Sequence, residues 1–422
     1  MSHLKRGLIK YTGSLILLSF FSFSPSVFAE TLTESFHKSA NSLFYLLATT
    51  QNPLVSPFSI NSCLLMTSMG AKGTTLSQIR GALQLTIPQN EVSTIYADLF
   101  RNLFSKMSGE SAHELIMASG LWVDNTTTIL PAFRNLVQSK YYGQTKSLNF
   151  QNPSEAAKII NNWVQKNTGN NIVDFIDPKT LSNTTKILLT NTLFFRGKWT
   201  HPFESQKTAS QKFTTNTNTL ISVPMMSQTN TFPYFENEKG QVLAIPIQGE
   251  ANQARIAFLI FLPKKGVTKT PFEYYYMEMQ EKKEGYLSYI DDLQEKMVAV
   301  TIPKFTLSQR LNLNSLMNSR GIVQAFTPNA DFSGIDGKKD LQITEALHEA
   351  TLSIDETGIF AVAGSEIALN LKAMRQPESS IPFVADHPFL YLLVDLNTKL
   401  ILFMGTYDVP PIAKAASHKE GL

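Results

Sequence analysis

The chain has 422 residues, 43% hydrophobic and 17% charged, which is enough apolar content for a sizeable core and excludes general disorder. The formal charge is +3, from 37 basic and 34 acidic residues. Lys5, Arg6 and Lys10 precede residue 30 and no acidic residue does. The remainder is therefore balanced, and its net charge supports neither nucleic-acid binding nor polybasic membrane binding.

Residues 1–29 read as a secretory signal peptide. A basic start precedes the short apolar run from Leu15 to Phe23, and Val27-Phe28-Ala29 places cleavage after Ala29. That run is shorter than the roughly 20 residues of a membrane span. No later uninterrupted apolar run approaches that length. The mature chain is expected to be soluble and secreted, either extracellular or, in a Gram-negative bacterium, periplasmic or exported. Cys63 is the sole cysteine, so no internal disulfide is available. It sits in an apolar stretch as a buried small hydrophobe. The sequons Asn125-Thr126-Thr127 and Asn183-Thr184-Thr185 are glycan acceptors only in a suitable host.

Apolar spacing predicts a helix over 31–50, ended by Asn52-Pro53, and a second from Ile60 to Gly70 that is apolar nearly all round and therefore buried. Ser56 or Ser59 caps the second. Short helices follow at 76–85, 90–108, 131–142 and 156–168, with a strand at 114–123. The apolar strand at 187–195 holds one amide, Asn191, and a buried Asn needs hydrogen-bond partners. From Phe213 onward the chain becomes β-rich, with strands at 222–226, 232–236, 241–248, 254–263 and 296–305. A charged helix over 271–293 interrupts them. A short helix at 311–320, a turn at 331–334 and a strand ending at Asp355 come next. Two strands between His387 and Tyr407 finish the chain. Helices dominate the first half and strands the second, without linker or repeat, so the expectation is one α+β domain.

The segment from Glu349 to Phe389 stands out. A strand ends at Asp355, and Glu356-Thr357-Gly358 breaks it, with Gly358 expected to supply a conformation barred to other residues. From Ile359 to Leu371 every second residue is small or apolar. Period two means a strand with one buried face. LKAMRQPESS after it reads as an exposed basic loop. On periodicity alone, two strands around a glycine are more often a bulge or hairpin than a switch.

Several short motifs in order change that reading. They are Asn52 to Ile60 (NPLVSPFSI), Gly70 to Thr75 (GAKGTT), Thr190 to Trp199 (TNTLFFRGKW) with Pro202-Phe203, and Pro303-Lys304-Phe305. Ala330 to Ile335 (ADFSGI), His348-Glu349-Ala350 through Glu356-Thr357-Gly358, and His387-Pro388-Phe389 with Phe403-Met404-Gly405 complete the set. With these the chain resembles a serpin across 30–422. The resemblance implies a fold of three β-sheets and about nine helices, with an exposed reactive-centre loop at about 356–382. It implies a suicide-substrate inhibitor of serine endopeptidases. A protease cleaves the loop, is held as an acyl-enzyme, and is dragged along as the loop inserts into the main sheet. Insertion would bury the alternating face, roughly 1.5–3 kcal/mol for each larger side chain.

By the same resemblance, Glu356, Thr357, Gly358, Ile359, Phe360, Ala361, Val362 and Ala363 form the hinge. Ser56, Ser59, Asn191 and His348 form a polar shutter under the opening sheet, and Trp199 marks the breach where the loop enters. The reactive bond falls at Lys372-Ala373 by one count and at Arg375-Gln376 by another. Either offers a basic residue to a trypsin-like pocket, and Met374 offers a third option for a chymotrypsin-like target. The expected partner is such a protease in a covalent complex with a monomeric inhibitor, without cofactor. Where inhibitors of this family carry Thr or Ser after the hinge glycine, then Glu and alanines, this chain has Ile359-Phe360-Ala361-Val362-Ala363-Gly364. That departure keeps a non-inhibitory carrier or chaperone as the rival. An enzyme is not expected: Gly-x-Ser-x-Gly and His-Glu-x-x-His motifs are missing, and His113-Glu114 and His348-Glu349 lack a second histidine. Residues 90–108 are too poor in Lys and Arg for a heparin-binding helix.

Overall fold

The computed structural model describes residues 25–47, 50–104, 113–249, 255–266, 271, 273, 287–359 and 379–411. Among them are nine α-helices and fifteen β-strands, numbered here in chain order. One sheet has six strands in the order β10 (Phe305–Asn312), β11 (Ile343–Ile354), β12 (Gly358–Ile359), β4 (Ile187–Lys198), β2 (His113–Asp124) and β3 (Gln144–Leu148). β11 also pairs directly with β4 below β12. A nine-stranded network holds the other strands.

The two expected strands at 222–226 and 232–236 are one strand, β6 (Leu220–Glu236). Nothing in the polar stretch between them breaks a strand. Instead it pairs with β9 (Gln294–Pro303), Ser227 opposite Thr301 and Thr231 opposite Met297. β6 pairs with β5 (Ala209–Thr214) near its start and with β7 (Gly240–Pro246) at its end. That length joins two of the three expected sheets into one hydrogen-bonded network. The helix expected over 311–320 is shorter, Asn314–Ser319, because Leu311 and Asn312 finish β10 against His348 and Leu347. The helix expected at 31–50 spans Pro25–Tyr45. Of the helix expected over 271–293, Ser288–Asp292 is described.

The six-stranded sheet has a different cover on each face. Helix α2 (Pro57–Ser68) is buried along its whole length, which fits its lack of a polar face. Ser56 caps it by accepting from the Ser59 amide, and Pro57 occupies the first turn, where its missing N–H costs nothing. The opposite face carries α6 (Pro153–Asn167), capped by Asn152 on the Glu155 amide. Its Ala156, Ala157, Ile160 and Val164 pack with Trp122, Leu188 and Leu347 in a separate cluster. Alternation along β11 thus sends Leu347 toward α6 and His348 toward α2.

Gly405 on β15 (Ile401–Tyr407) shows how closely the remaining core is packed. A Cβ there would lie 2.4 Å from the Pro53 carbonyl oxygen and 2.4 Å from the Tyr391 hydroxyl. At Gly81, inside a helix, a Cβ meets nothing within 4 Å. Gly405→Ala is expected to destabilise the fold by about 1–3 kcal/mol through overpacking, while Gly81→Ala stabilises it by about 0.5–1 kcal/mol. Urea denaturation of the two variants beside the parent checks both signs.

Candidate functional site: the seam between β4 and β11

β4 and β11 run parallel and pair from Ile187/Ile343 to Leu193/Ala350. Every neighbouring pair in this part of the sheet is antiparallel: β4 with β2, and β10 with β11. Parallel pairing is slightly weaker per residue than antiparallel pairing, so this seam is weaker per residue than the ladders on either side of it.

A buried polar network crosses the seam. Asn191 on β4 stands opposite His348 on β11. The Ser56 amide donates to His348 Nε2 at 3.1 Å, so the ring proton sits on Nδ1. Nδ1 then donates to Asn191 Oδ1 at 3.1 Å. Ser59 Oγ donates to the same oxygen at 2.5 Å, and Asn191 Nδ2 donates to Ser119 Oγ on β2 at 2.9 Å. Burial pushes the His348 imidazole down to about 3, against a smaller opposing pull from its Asn191 hydrogen bond. The ring is neutral at physiological pH and serves as one donor and one acceptor. Ser56, Ser59, Asn191 and His348 are thus brought together as a group. Ser119 is an addition that sequence reasoning missed. Its one signal was a lone hydroxyl in the apolar run from Leu115 to Val123.

Above Leu193 and Ala350 the two strands part, and Gly358–Ile359 lies between them. Gly358 and Ile359 form β12, antiparallel to both neighbours: Ile359 faces Ile354 of β11 and Gly197 of β4, and Gly358 faces Lys198. Ile359 is 0% exposed and belongs to the main core. The turn into β12 is held by one carboxylate. Asp355 Oδ1 accepts from the Thr357 amide at 2.8 Å, the Thr357 hydroxyl at 2.7 Å and the Gly358 amide at 3.1 Å. Gly358 is not in the left-handed region, contrary to the conformational reason anticipated for it. Glycine is required there by close approach instead. A Cβ would stand 2.0 Å from the Gly197 carbonyl oxygen and 2.8 Å from Lys198 Cα.

Trp199 braces this turn. Its indole N–H donates to the Asp355 carbonyl at 2.8 Å and its amide to the Thr357 carbonyl at 3.0 Å, while the Phe203 amide takes the Glu356 carbonyl at 2.8 Å. The Glu356 carboxylate accepts from Lys304 Nζ at 2.7 Å and from the Thr208 hydroxyl at 2.8 Å. Burial alone would raise its pKa. The Lys304 and Thr208 hydrogen bonds outweigh that and hold the carboxyl below its usual range. Lys304, Thr208 and Asp355 went unassigned from sequence, although Lys304 sits within the Pro303-Lys304-Phe305 motif. Phe360, Ala361, Val362 and Ala363, and both candidate bonds, Lys372-Ala373 and Arg375-Gln376, lie outside the described residues.

His113 Nδ1 meets the Gln248 carbonyl at 3.1 Å, and Glu114 lies 3.6 Å from Arg196. Among the described residues no three His, Cys, Asp or Glu side chains gather to hold a metal.

The profile of the family described as Serpin (serine protease inhibitor) matches residues 34–410. The chain belongs to the serpin family. An uncharacterized serpin-like protein of Thermococcus kodakarensis is 33% identical over 369 residues, 85% of this chain and 81% of that one. Intracellular coagulation inhibitor 2 of Tachypleus tridentatus is 31% identical over 368 residues, covering 86% of each. The structure of human thyroxine-binding globulin complexed with thyroxine superposes with a TM-score of 0.78 at 26% identity, over 92% of this chain and 100% of that one. This serpin therefore shares its fold with relatives named as inhibitors and with one named for binding thyroxine.

Two outcomes test the seam. Asn191→Ala leaves His348 Nδ1 and the Ser59 hydroxyl without their acceptor, at an expected cost of about 1–3 kcal/mol by denaturant titration. The second concerns pH. The folded-state affinity of His348 for a proton lies at about 3, below the ordinary value of 6.5. Its contribution is present above the unfolded value and is lost as pH falls from about 6.5 toward 3, where only the unfolded chain takes the proton. His37, lowered to about 4 by burial, has the same sign. The denaturation midpoint of the parent is expected to fall between pH 7 and 5, and to fall less in His348→Gln.

Proposed function

We propose that this serpin is a suicide-substrate inhibitor of a trypsin-like serine endopeptidase, trapped as a covalent complex. The observation that carries the reading is that β12 is antiparallel to both β11 and β4, which are parallel to each other. A strand extended from Ile359 down the seam would replace one parallel ladder with two antiparallel ones. It would also bury the small and apolar alternate residues that follow Ile359. Both changes favour the inserted state. In this reading Glu356 to Ala363 are the hinge, Asn191, His348, Ser56 and Ser59 the shutter, and Trp199 the breach.

Lys372-Ala373 is the first choice for the reactive bond and Arg375-Gln376 the second, since a basic residue ahead of the bond pairs with the acid of a trypsin-like pocket. The protein acts as a secreted monomer without cofactor, exported by its first 29 residues. Among the described residues no helix is long and apolar enough to cross a membrane. A carrier role is the second reading. It rests on the similarity to thyroxine-binding globulin and on the bulky Ile359-Phe360 pair at the hinge.

Near-equimolar incubation with trypsin, followed by denaturing electrophoresis and intact-mass analysis, tests the proposal. The expected product is an adduct of the summed mass less a released C-terminal peptide beginning at Ala373 or Gln376. A panel of serine and cysteine proteases extends the test to other targets. Cleavage throughout the panel with no adduct and no gain in heat stability would leave the carrier reading.

A further inference from the structure

We infer that the cavity between the β5–β6 turn, the end of β8 (Ile256–Pro263) and the residues just before β14 (Phe389–Asp395) binds a small organic monoanion: an apolar body carrying one carboxylate. The site involves neither the seam nor the loop, so it stands apart from the inhibitory reading.

The cavity holds about 240 Å³. Its walls come from three segments distant in sequence, and these are bonded to one another. The Thr214 amide donates to the Asp386 carbonyl at 2.8 Å, and His387 Nε2 donates to the Pro263 carbonyl at 2.7 Å. The space is therefore set by the fold, and a ligand need not order its own walls.

Two kinds of surface line it. Pro263, Pro271 and Pro388 supply rigid apolar wall without an N–H. Lys264, Asn216 and Asn218 supply exposed polar groups. None of these three side chains has a hydrogen-bond or ion-pair partner among the described residues. Lys265 also lines the cavity but is already matched. Its Nζ lies 2.8 Å from the Asp386 carboxylate, which meets His387 Nδ1 at 2.7 Å on its other oxygen. No acidic residue is among the described lining residues. One unmatched positive charge, two free amides and a proline wall fit one carboxylate on an apolar body. A polyanion would bring more charge than Lys264 can match, and a metal ion would meet no free carboxylate.

Benzoate is the probe and benzyl alcohol its uncharged counterpart. Each is titrated into the full chain at constant ionic strength, followed by calorimetry and by the thermal midpoint. Benzoate is expected to bind saturably with a Kd of about 1 mM, ordinary for a ligand of this size. The midpoint should rise with it, because only the folded chain has the cavity. Benzyl alcohol should bind about fivefold more weakly. Lys264→Glu should weaken benzoate about tenfold and leave benzyl alcohol unchanged. Lys264 is exposed, so this variant folds. Asn218→Asp, at a left-handed position that aspartate tolerates, should also weaken benzoate. Lys179→Glu, an exposed charge reversal on the 3₁₀ turn Pro178–Thr180, should change neither ligand. Benzoate that fails to saturate, benzyl alcohol that binds equally well, or a Lys264→Glu chain that binds benzoate like the parent overturns the site.

Discussion

The parallel ladder between β4 and β11 is the constraint on which the rest of this structure depends. It places two long strands side by side in the middle of a sheet, each with an antiparallel neighbour on its other side. Their hydrogen bonds alone do not make the arrangement preferable to one with a further strand between them. The seam is therefore held by other means. Asn191 and His348 join across it, and the capped start of α2 supplies Ser56 and Ser59 from below. Each of these groups is buried, so parting the strands would strip several of them of partners at once. The network fastens a pairing of modest strength.

The upper end of the seam is built in the opposite sense. There β4 and β11 separate, and a two-residue strand already occupies the space. A single carboxylate, that of Asp355, organises the turn that brings it in, and Trp199 bonds to the backbone on both sides of Glu356. The Lys304–Glu356 ion pair and the Thr208 hydroxyl tie the entrance of β12 to the residue that follows β9 and to the residue that precedes β5. Lys304 is partly exposed, so the strength of that tie is moderated by solvent. The sheet thus has a lower part crossed by a polar network and an upper part filled by a two-residue strand, joined through the same two strands.

Much of the fold was legible because its signals are local. The capped and wholly uncharged α2 followed from Ser56, Pro57 and the run behind them. The apolar strand around Asn191 followed from composition, as did the demand of that amide for partners. The β-rich second half followed from alternation. Errors arose where partners, rather than local pattern, decide. β6 continues through Ser227 to Thr231 because β9 lies alongside to pair with them. Leu311 ends a strand because β11 is opposite it. Gly358 is glycine for lack of room and not for its backbone angles.

By itself, then, the sequence determined the α+β class, the order of motifs that marks the family, and the alternation after Ile359. All three are properties of residues near one another in the chain. Only the tertiary structure decided who answers Asn191, what Glu356 is bound to, and where Ile359 rests. Those pairings join residues more than fifty positions apart, as Ser59 to Asn191, Lys304 to Glu356 and Gly197 to Ile359. A side chain at such a distance is selected by packing and by the need to satisfy buried polar groups, and neither leaves a periodic trace in the sequence.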